Sequence, residues 1–195
     1  FVKPTSLGGG TGVDGFSVVH SITDLQAKIR SLDLDHDSDA LIEEFLPGRE
    51  FSVAVLQDEL SESFHVMPIE LVAVGDLNGD RMLSQQVKSM NEEVVLPVDD
   101  PLTRFVISEL AIGAFKALQA KGYGRFDIRM DAFGIPHFLE ANLIPSLIDG
   151  YGSFPKACKM NLNMDFEDML LIIVRLGFAH TGTELGAARN IALPT

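Results

Sequence analysis

The chain has 195 residues, with 28 Asp plus Glu against 15 Lys plus Arg and 46% apolar side chains. It is too apolar to be disordered and long enough for one sizeable core or two small lobes. It is too acidic to offer duplex nucleic acid a broad basic surface. The acid excess is uneven: residues 1–120 hold 20 acids and 8 bases, whereas residues 121–195 hold 8 and 7. A solvated acidic face accounts for this. Any bound anion must then be met by a few local cations, backbone N–H groups or metal ions.

The single cysteine, Cys158, excludes an intrachain disulfide and fits a reducing, cytoplasmic setting. The longest strongly apolar run, Met169–Val174, is too short to span a bilayer, and no signal peptide is evident. Neither a membrane nor a nucleic acid is expected as a partner. The chain opens on Phe1-Val2-Lys3-Pro4, which reads as the middle of a strand and so as a piece of something longer.

In chain order, Phe1–Lys3 is a short strand. It leads into Leu7–Gly15, which has five glycines in nine residues. Phe16–His20 alternates like a strand. Ser21 or Thr23 caps a helix bearing Leu25, Ile29 and Leu32 on one face, and Asp33–Asp39 reads as an acidic loop. Strands are predicted over Ala40–Phe45, Glu50–Gln57 and Phe64–Val74, with a turn at Asn78-Gly79-Asp80. Residues 81–99 lack a period and read as a loop or short irregular helix. Asp99 or Asp100 then caps a helix with Pro101 in its first turn. Tyr123–Met130 and Pro136–Asn142 are two strands, 153–160 and 165–178 two helices, and the last fifteen residues a weaker tail. Hairpins dominate and no βαβ rhythm emerges, so the class is α+β.

The most informative stretch is the hairpin over Gly124–Asp131 and Phe138–Asn142. A four-residue loop, Ala132–Ile135, pairs Asp131 with Pro136, Asp127 with Glu140 and Arg125 with Asn142. Alternation then puts Arg125, Asp127, Glu140 and Asn142 on one face. The other face carries Phe126, Ile128, Met130, Leu139 and Ala141, a core surface. Two carboxylates directly opposite destabilise a ladder unless something compensates. Arg125 and Arg129 could do so in a structural ion-pair cluster. A divalent cation could too, because Asp, Glu and Asn oxygens are hard ligands suited to magnesium. Geometry alone leaves both readings open.

The glycine turn lies between two predicted strands, so it is neither a nucleotide P-loop nor a dinucleotide fingerprint. Its glycines free backbone N–H groups to approach phosphate, but a ligand-free flexible hairpin fits equally well. Lys3 could reach the same phosphates as a point charge, and Lys88 could be a loop cation; solvated lysines account for both. Between two strands, Glu43-Glu44-Phe45-Leu46-Pro47-Gly48-Arg49-Glu50 offers carboxylates for ribose hydroxyls and backbone groups for an adenine edge. Surface acids explain the same residues.

Taken in order, these segments resemble the ATP-grasp fold, in its D-alanine–D-alanine ligase branch, over about residues 1–175. The resemblance rests on Phe1-Val2-Lys3-Pro4 with its glycine loop, on Leu41 to Val53, and on Gly124-Arg125-Phe126-Asp127 with Leu139-Glu140-Ala141-Asn142. It implies two α+β lobes of mainly antiparallel sheet gripping ATP. Residues 1–50 would form the smaller lobe and 51–195 the larger, with a further N-terminal domain lying outside this chain. It also implies roles. Lys3 would contact the α/β-phosphates, with Gly8, Gly9 and Gly10 covering the triphosphate. Glu43 and the Glu44–Leu46 backbone would hold adenine, Glu50 the ribose, and Lys88 a phosphate. Asp127, Glu140 and Asn142 would hold two magnesium ions, with manganese as a substitute. Arg125 would stabilise the transferred phosphoryl group, and the backbone of Ser146 would help form an oxyanion site.

The implied activity is that of an ATP-dependent carboxylate–amine ligase acting on amino acids or peptides through an acyl phosphate. The alternative is a non-catalytic nucleotide-binding module, and a purely structural α+β domain is the third reading. A homodimer, or association with the absent N-terminal domain, would also follow from the family. The sequence departs from the family pattern at Leu143-Ile144-Pro145-Ser146, where Thr-x-Pro-Gly is usual, and at Gly9 and Gly10, where serines are usual. These changes leave the substrates open. His20, His36, His65, His137 and His180 show no ligand or triad spacing, and Cys158 reads as a helix packing residue.

Overall fold

The computed structural model describes residues 1–59, 61, 63–72 and 94–181. Lys88, the Asn78–Asp80 turn, most of the segment 81–99 and the last fourteen residues lie outside the described residues. Two compact units divide the chain. Among the described residues the first is built on Phe1–Gly48 with Val72 and Val94, and the second on Arg49–Leu71 and residues 95–181.

In the first unit, β1 (Val2–Pro4) pairs antiparallel with β2 (Ala40–Ile42), placing Lys3 opposite Leu41. Helix α1 (Ile22–His36) connects them. Its N-cap is Ser21, whose hydroxyl accepts from the Asp24 N–H at 3.1 Å. The predicted acidic loop at Asp33–Asp39 is therefore half helix. Leu32 is buried and anchors that last turn, while Asp33 and Asp35 face solvent. Asp37 ends it in the left-handed region at φ 48°, its N–H donating to the Asp33 carbonyl at 3.0 Å.

Phe16–His20 is not a strand. Asp14 Oδ1 accepts from the Phe16 N–H at 2.9 Å, and the Ser17 N–H donates back to the Asp14 carbonyl at 3.0 Å, closing a tight turn. Phe16 is left 79% exposed, so the apolar alternation does not mark a core face. The strand predicted over Ala40–Phe45 stops at Ile42. Phe1 and Glu43 still bond in both directions, the Glu43 N–H donating to the Phe1 carbonyl at 2.9 Å and the Phe1 ammonium to the Glu43 carbonyl at 2.7 Å.

The second unit is a five-stranded sheet in the order β5-β4-β3-β6-β7. Its strands are β3 (Glu50–Gln57), β4 (Phe64–Val72), β5 (Val94–Pro97), β6 (Tyr123–Met130) and β7 (Pro136–Asn142). Adjacent β4/β3, β3/β6 and β6/β7 are antiparallel. Part of the segment expected to be loop over 81–99 is thus a strand, β5, on the sheet edge. Three helices cover the sheet: α2 (Pro101–Ala117), α3 (Ser153–Leu162) and α4 (Phe166–Thr181). Asp100 caps α2, its carboxylate accepting from the Thr103 N–H at 2.7 Å.

One sheet face packs Phe51, Val53, Val55, Phe126 and Ile128 against Ile107, Ala111 and Phe115 of α2. The opposite face packs Ala54, Leu56, Met67 and Ile69 against Phe154 and Cys158 of α3 and Met169 and Ile172 of α4. Because both faces are covered, β3 is buried almost end to end instead of alternating. Burying side chains of this size contributes about 1.5–3 kcal/mol each. The α3/α4 face turns polar towards β6 and β7, and the candidate site lies there.

The β6–β7 hairpin differs from the predicted register in a specific way. Asp131 is not paired with Pro136; Met130 is. Asp131 belongs to the turn, where its Oδ1 accepts from the N–H groups of Phe133 and Ile135 at 2.8 and 2.9 Å. Five residues therefore make the loop, and Gly134 takes its φ of +79°. A bulge between Asp127 and Ile128 absorbs the extra residue: Ile128 pairs with Phe138, and Asp127 still pairs with Glu140. Leu139 is the surplus residue. It is 38% exposed and is not part of the core face; Phe138 takes that side and meets the Phe126 ring at 6.5 Å.

Candidate functional site

Three successive rungs of the second unit carry polar residues on one sheet face. Glu50 pairs with Arg129, Ser52 with Asp127, and Asp127 in turn with Glu140; Arg125 pairs with Asn142. Asp127 is buried and lies at the centre. Arg125 grips it with two parallel bonds, Nε to Oδ1 at 2.9 Å and Nη2 to Oδ2 at 2.8 Å. The Ser52 hydroxyl donates to Oδ1 at 3.2 Å. Asn142 Nδ2 donates to Asp127 Oδ2 at 3.3 Å and to Glu140 Oε1 at 3.1 Å. Arg125 Nη2 stands 4.0 Å from Glu140 Oε1. The structure thus brings Arg125, Asp127, Glu140 and Asn142 together.

Ser52 is not singled out by the sequence, and Arg129 enters there only as a candidate for an ion-pair cluster. Ser52 looks like an inward strand residue in a run of apolar neighbours, and its role shows only once β3 lies against β6. Arg129 Nη1 donates to Glu50 Oε2 at 2.7 Å, with both side chains largely buried. Glu50, expected near a ribose, is held by this pair at the start of β3.

The donor set can be tested against a divalent cation from this geometry. Two carboxylates and an amide sit within one face, and Glu140 keeps 58% of its side chain exposed. Asn142 turns its N–H₂ towards both carboxylates here; the amide turned over presents its oxygen to the same space. Two or three hard oxygens, with water and phosphate completing the shell, suit magnesium. The residues fit the ion.

The other expected residues lie in the first unit or in the segment after β7. Lys3 Nζ is 2.7 Å from Glu43 Oε2, a half-buried lysine paired with an exposed carboxylate. Glu44 is exposed and Leu46 half-buried in the stretch that follows β2. In the glycine loop, Gly9, Gly10 and Gly12 have φ of 67°, 80° and 74°. Gly8 and Gly9 face open space. At Gly12, by contrast, a Cβ would stand 2.6 Å from Pro4 Cγ. Ser146 is half-buried, and its carbonyl lies where a Cβ on Gly152 would come within 2.4 Å. Gly152, the N-cap of α3, thus allows the Ser146 corner to close on the helix start, a role sequence reading did not assign.

Cys158 is buried in the α3 core, and burial pushes its thiol up to about 12. It is therefore no nucleophile near neutrality. His65 pairs with Asp58 at 3.2 Å and His137 with Asp131 at 3.3 Å, both at hairpin ends.

A family model described as D-ala D-ala ligase C-terminus matches residues 1–175. The chain belongs to this family. The D-alanine–D-alanine ligase of Pelotomaculum thermopropionicum is 28% identical over 168 residues, which are 86% of this chain and 51% of that protein. The VanG D-Ala:D-Ser ligase of Enterococcus faecalis superposes with a TM-score of 0.68 at 26% identity, over 90% of this chain and 48% of that one. The ATP complex of the Bacillus anthracis D-alanine–D-alanine ligase superposes at 0.67 and 18% identity, over 93% and 54%. The fold is that of ATP-grasp ligases of this family, α+β with antiparallel sheets. The chain spans about half the length of the curated relatives it matches. Among the described residues no helix is long and apolar enough to cross a membrane.

Proposed function

We propose that this chain is the nucleotide- and metal-binding portion of an ATP-dependent carboxylate–amine ligase, working on small amino-acid or peptide substrates in the cytoplasm. The convergence of Arg125, Asp127, Glu140 and Asn142 on one face of the β6–β7 ladder carries this reading.

In this reading Asp127, Glu140 and Asn142 hold two magnesium ions, and manganese suits the same oxygens. The ions would neutralise charge on the triphosphate and on the phosphoryl group in transfer. A substrate carboxylate oxygen attacks the γ-phosphorus and ADP leaves; a neutral amine then attacks the acyl carbon, the C–O bond to phosphate breaks, and the phosphate departs with the proton lost from nitrogen. Positioning and charge neutralisation supply most of the catalysis in such transfers. Arg125 is held rigid by its two bonds to Asp127, which leaves Nη1 to meet a phosphoryl oxygen. Lys3 would contact the α/β-phosphates, with Gly8, Gly9 and Gly10 as backbone donors. Glu43 and the Glu44–Leu46 backbone bind adenine, and Glu50 the ribose. Lys88 adds a phosphate contact, and the Ser146 N–H an oxyanion contact.

A titration of the chain with ATP, with Mg2+ and again with EDTA, tests the nucleotide role. Saturable binding that requires the metal is expected; no binding with Mg2+ present would remove the proposal. Phosphate release that depends on an added amino acid separates a ligase from a nucleotide-binding module.

A further inference from the structure

Lys28 of α1 is an unusual residue to find inside. Its side chain is 2% exposed, and a buried ammonium is costly unless an anion stands beside it. The anion is Asp14, whose Oδ1 accepts from Lys28 Nζ at 2.8 Å. Asp14 is itself 53% exposed and closes the C-terminal end of the glycine loop. Its backbone N–H donates to Ser17 Oγ at 3.1 Å, and its Oδ1 also accepts from the Phe16 N–H. One helical turn beyond Lys28, Leu32 lies 3.1 Å from where a Gly12 Cβ would stand. The second half of the loop is thereby fixed to α1 at two points. The first half, around Gly8 and Gly9, has nothing within 4 Å of either added Cβ.

We propose that Lys28 is a positioning residue for the nucleotide: through Asp14 it tethers the glycine loop to α1, so that Gly8–Gly10 present their N–H groups in one arrangement. The inference rests on the reading of this loop as a phosphate holder. The two partners differ in what their loss leaves behind. Without Lys28, Asp14 remains half in water and the core gains no buried charge. Without the Asp14 charge, an ammonium remains buried with no counter-ion. A pair that only supported the fold would lower the melting temperature without singling out the loop.

The test is hydrogen exchange on the nucleotide-free chain, read over residues 7–15, together with Mg-ATP titration of the wild type, Lys28→Met, Asp14→Asn and the double variant. In Lys28→Met we expect loop amides to exchange about tenfold faster while β6 amides are unchanged. We also expect Mg-ATP affinity to fall about tenfold. Asp14→Asn should melt lowest, and the double variant should regain melting temperature without regaining loop protection. Unchanged loop exchange in both Lys28→Met and the double variant would overturn the tether. Faster loop exchange in a chain whose wild type binds no Mg-ATP would overturn the nucleotide reading, and the positioning role with it.

Discussion

Asp127 and Glu140 face each other directly across the β6–β7 ladder, and one amide group, Nδ2 of Asn142, bonds both at 3.3 and 3.1 Å. Opposed carboxylates of this kind need shared donors or a cation to coexist. Replacing Asn142 by Ala removes the shared donor while Arg125 keeps Asp127 paired. We expect a loss of about 1 kcal/mol in metal-free urea unfolding. A metal-free stability equal to wild type would show that the amide is not what reconciles the two acids.

Gly12 meets two constraints at once. Its φ of +74° disfavours any side chain, and a Cβ would stand 2.6 Å from Pro4 Cγ. Gly12→Ala should therefore cost about 1–3 kcal/mol in unfolding free energy. Gly9→Ala shares the positive φ but meets open space, so it should cost less. Equal losses in the two variants would rule out the contact with Pro4.

The β6–β7 turn has an acid-side signature. Backbone bonds from Ile135 and Phe133, with a smaller contribution from His137, hold the Asp131 carboxyl below its ordinary 3.8. A group with a lowered folded pKa stabilises fully above its unfolded value and loses that contribution as pH falls through the folded one. Stability of the wild type should thus decline below about pH 3.8 more steeply than that of Asp131→Asn. Parallel acid-side curves for the two proteins would contradict the turn geometry.

Cys158 supplies a probe of the α3–α4 core. With its thiol neutral up to about 12 and its side chain buried, it should not react with a thiol-specific disulfide reagent at pH 8 in the native chain. It should react fully once the chain is unfolded in urea. Prompt reaction of the native protein would mean that this layer is open.

Much of the fold is legible in the sequence because local chemistry and tertiary packing agree. Glu50–Gln57, Tyr123–Met130 and Pro136–Asn142 are strands within the predicted bounds, and Asp100 with Pro101 opens α2. Misreadings occur where a side chain competes for the backbone. Asp14 turns Phe16–Ser17 out of a strand, and Asp131 withdraws from the ladder to cap its own turn. The expected pairing of Asp127 with Glu140 is nevertheless kept, because the longer loop and the Leu139 bulge offset each other. Ser52 is not legible as a member of the polar face, and Arg129, expected in an ion-pair cluster, finds a partner in Glu50 that the sequence does not show, since these pairs join strands far apart in the chain.

The most direct test of the central claim is a calorimetric titration of ATP into the wild type and Glu140→Gln, each with and without Mg2+. Glu140 is largely exposed, so the glutamine variant should fold with a wild-type melting temperature. Metal-dependent ATP binding by the wild type, weakened by at least about tenfold in Glu140→Gln, is the predicted result. Equal Mg2+-dependent affinity in the two proteins would contradict it.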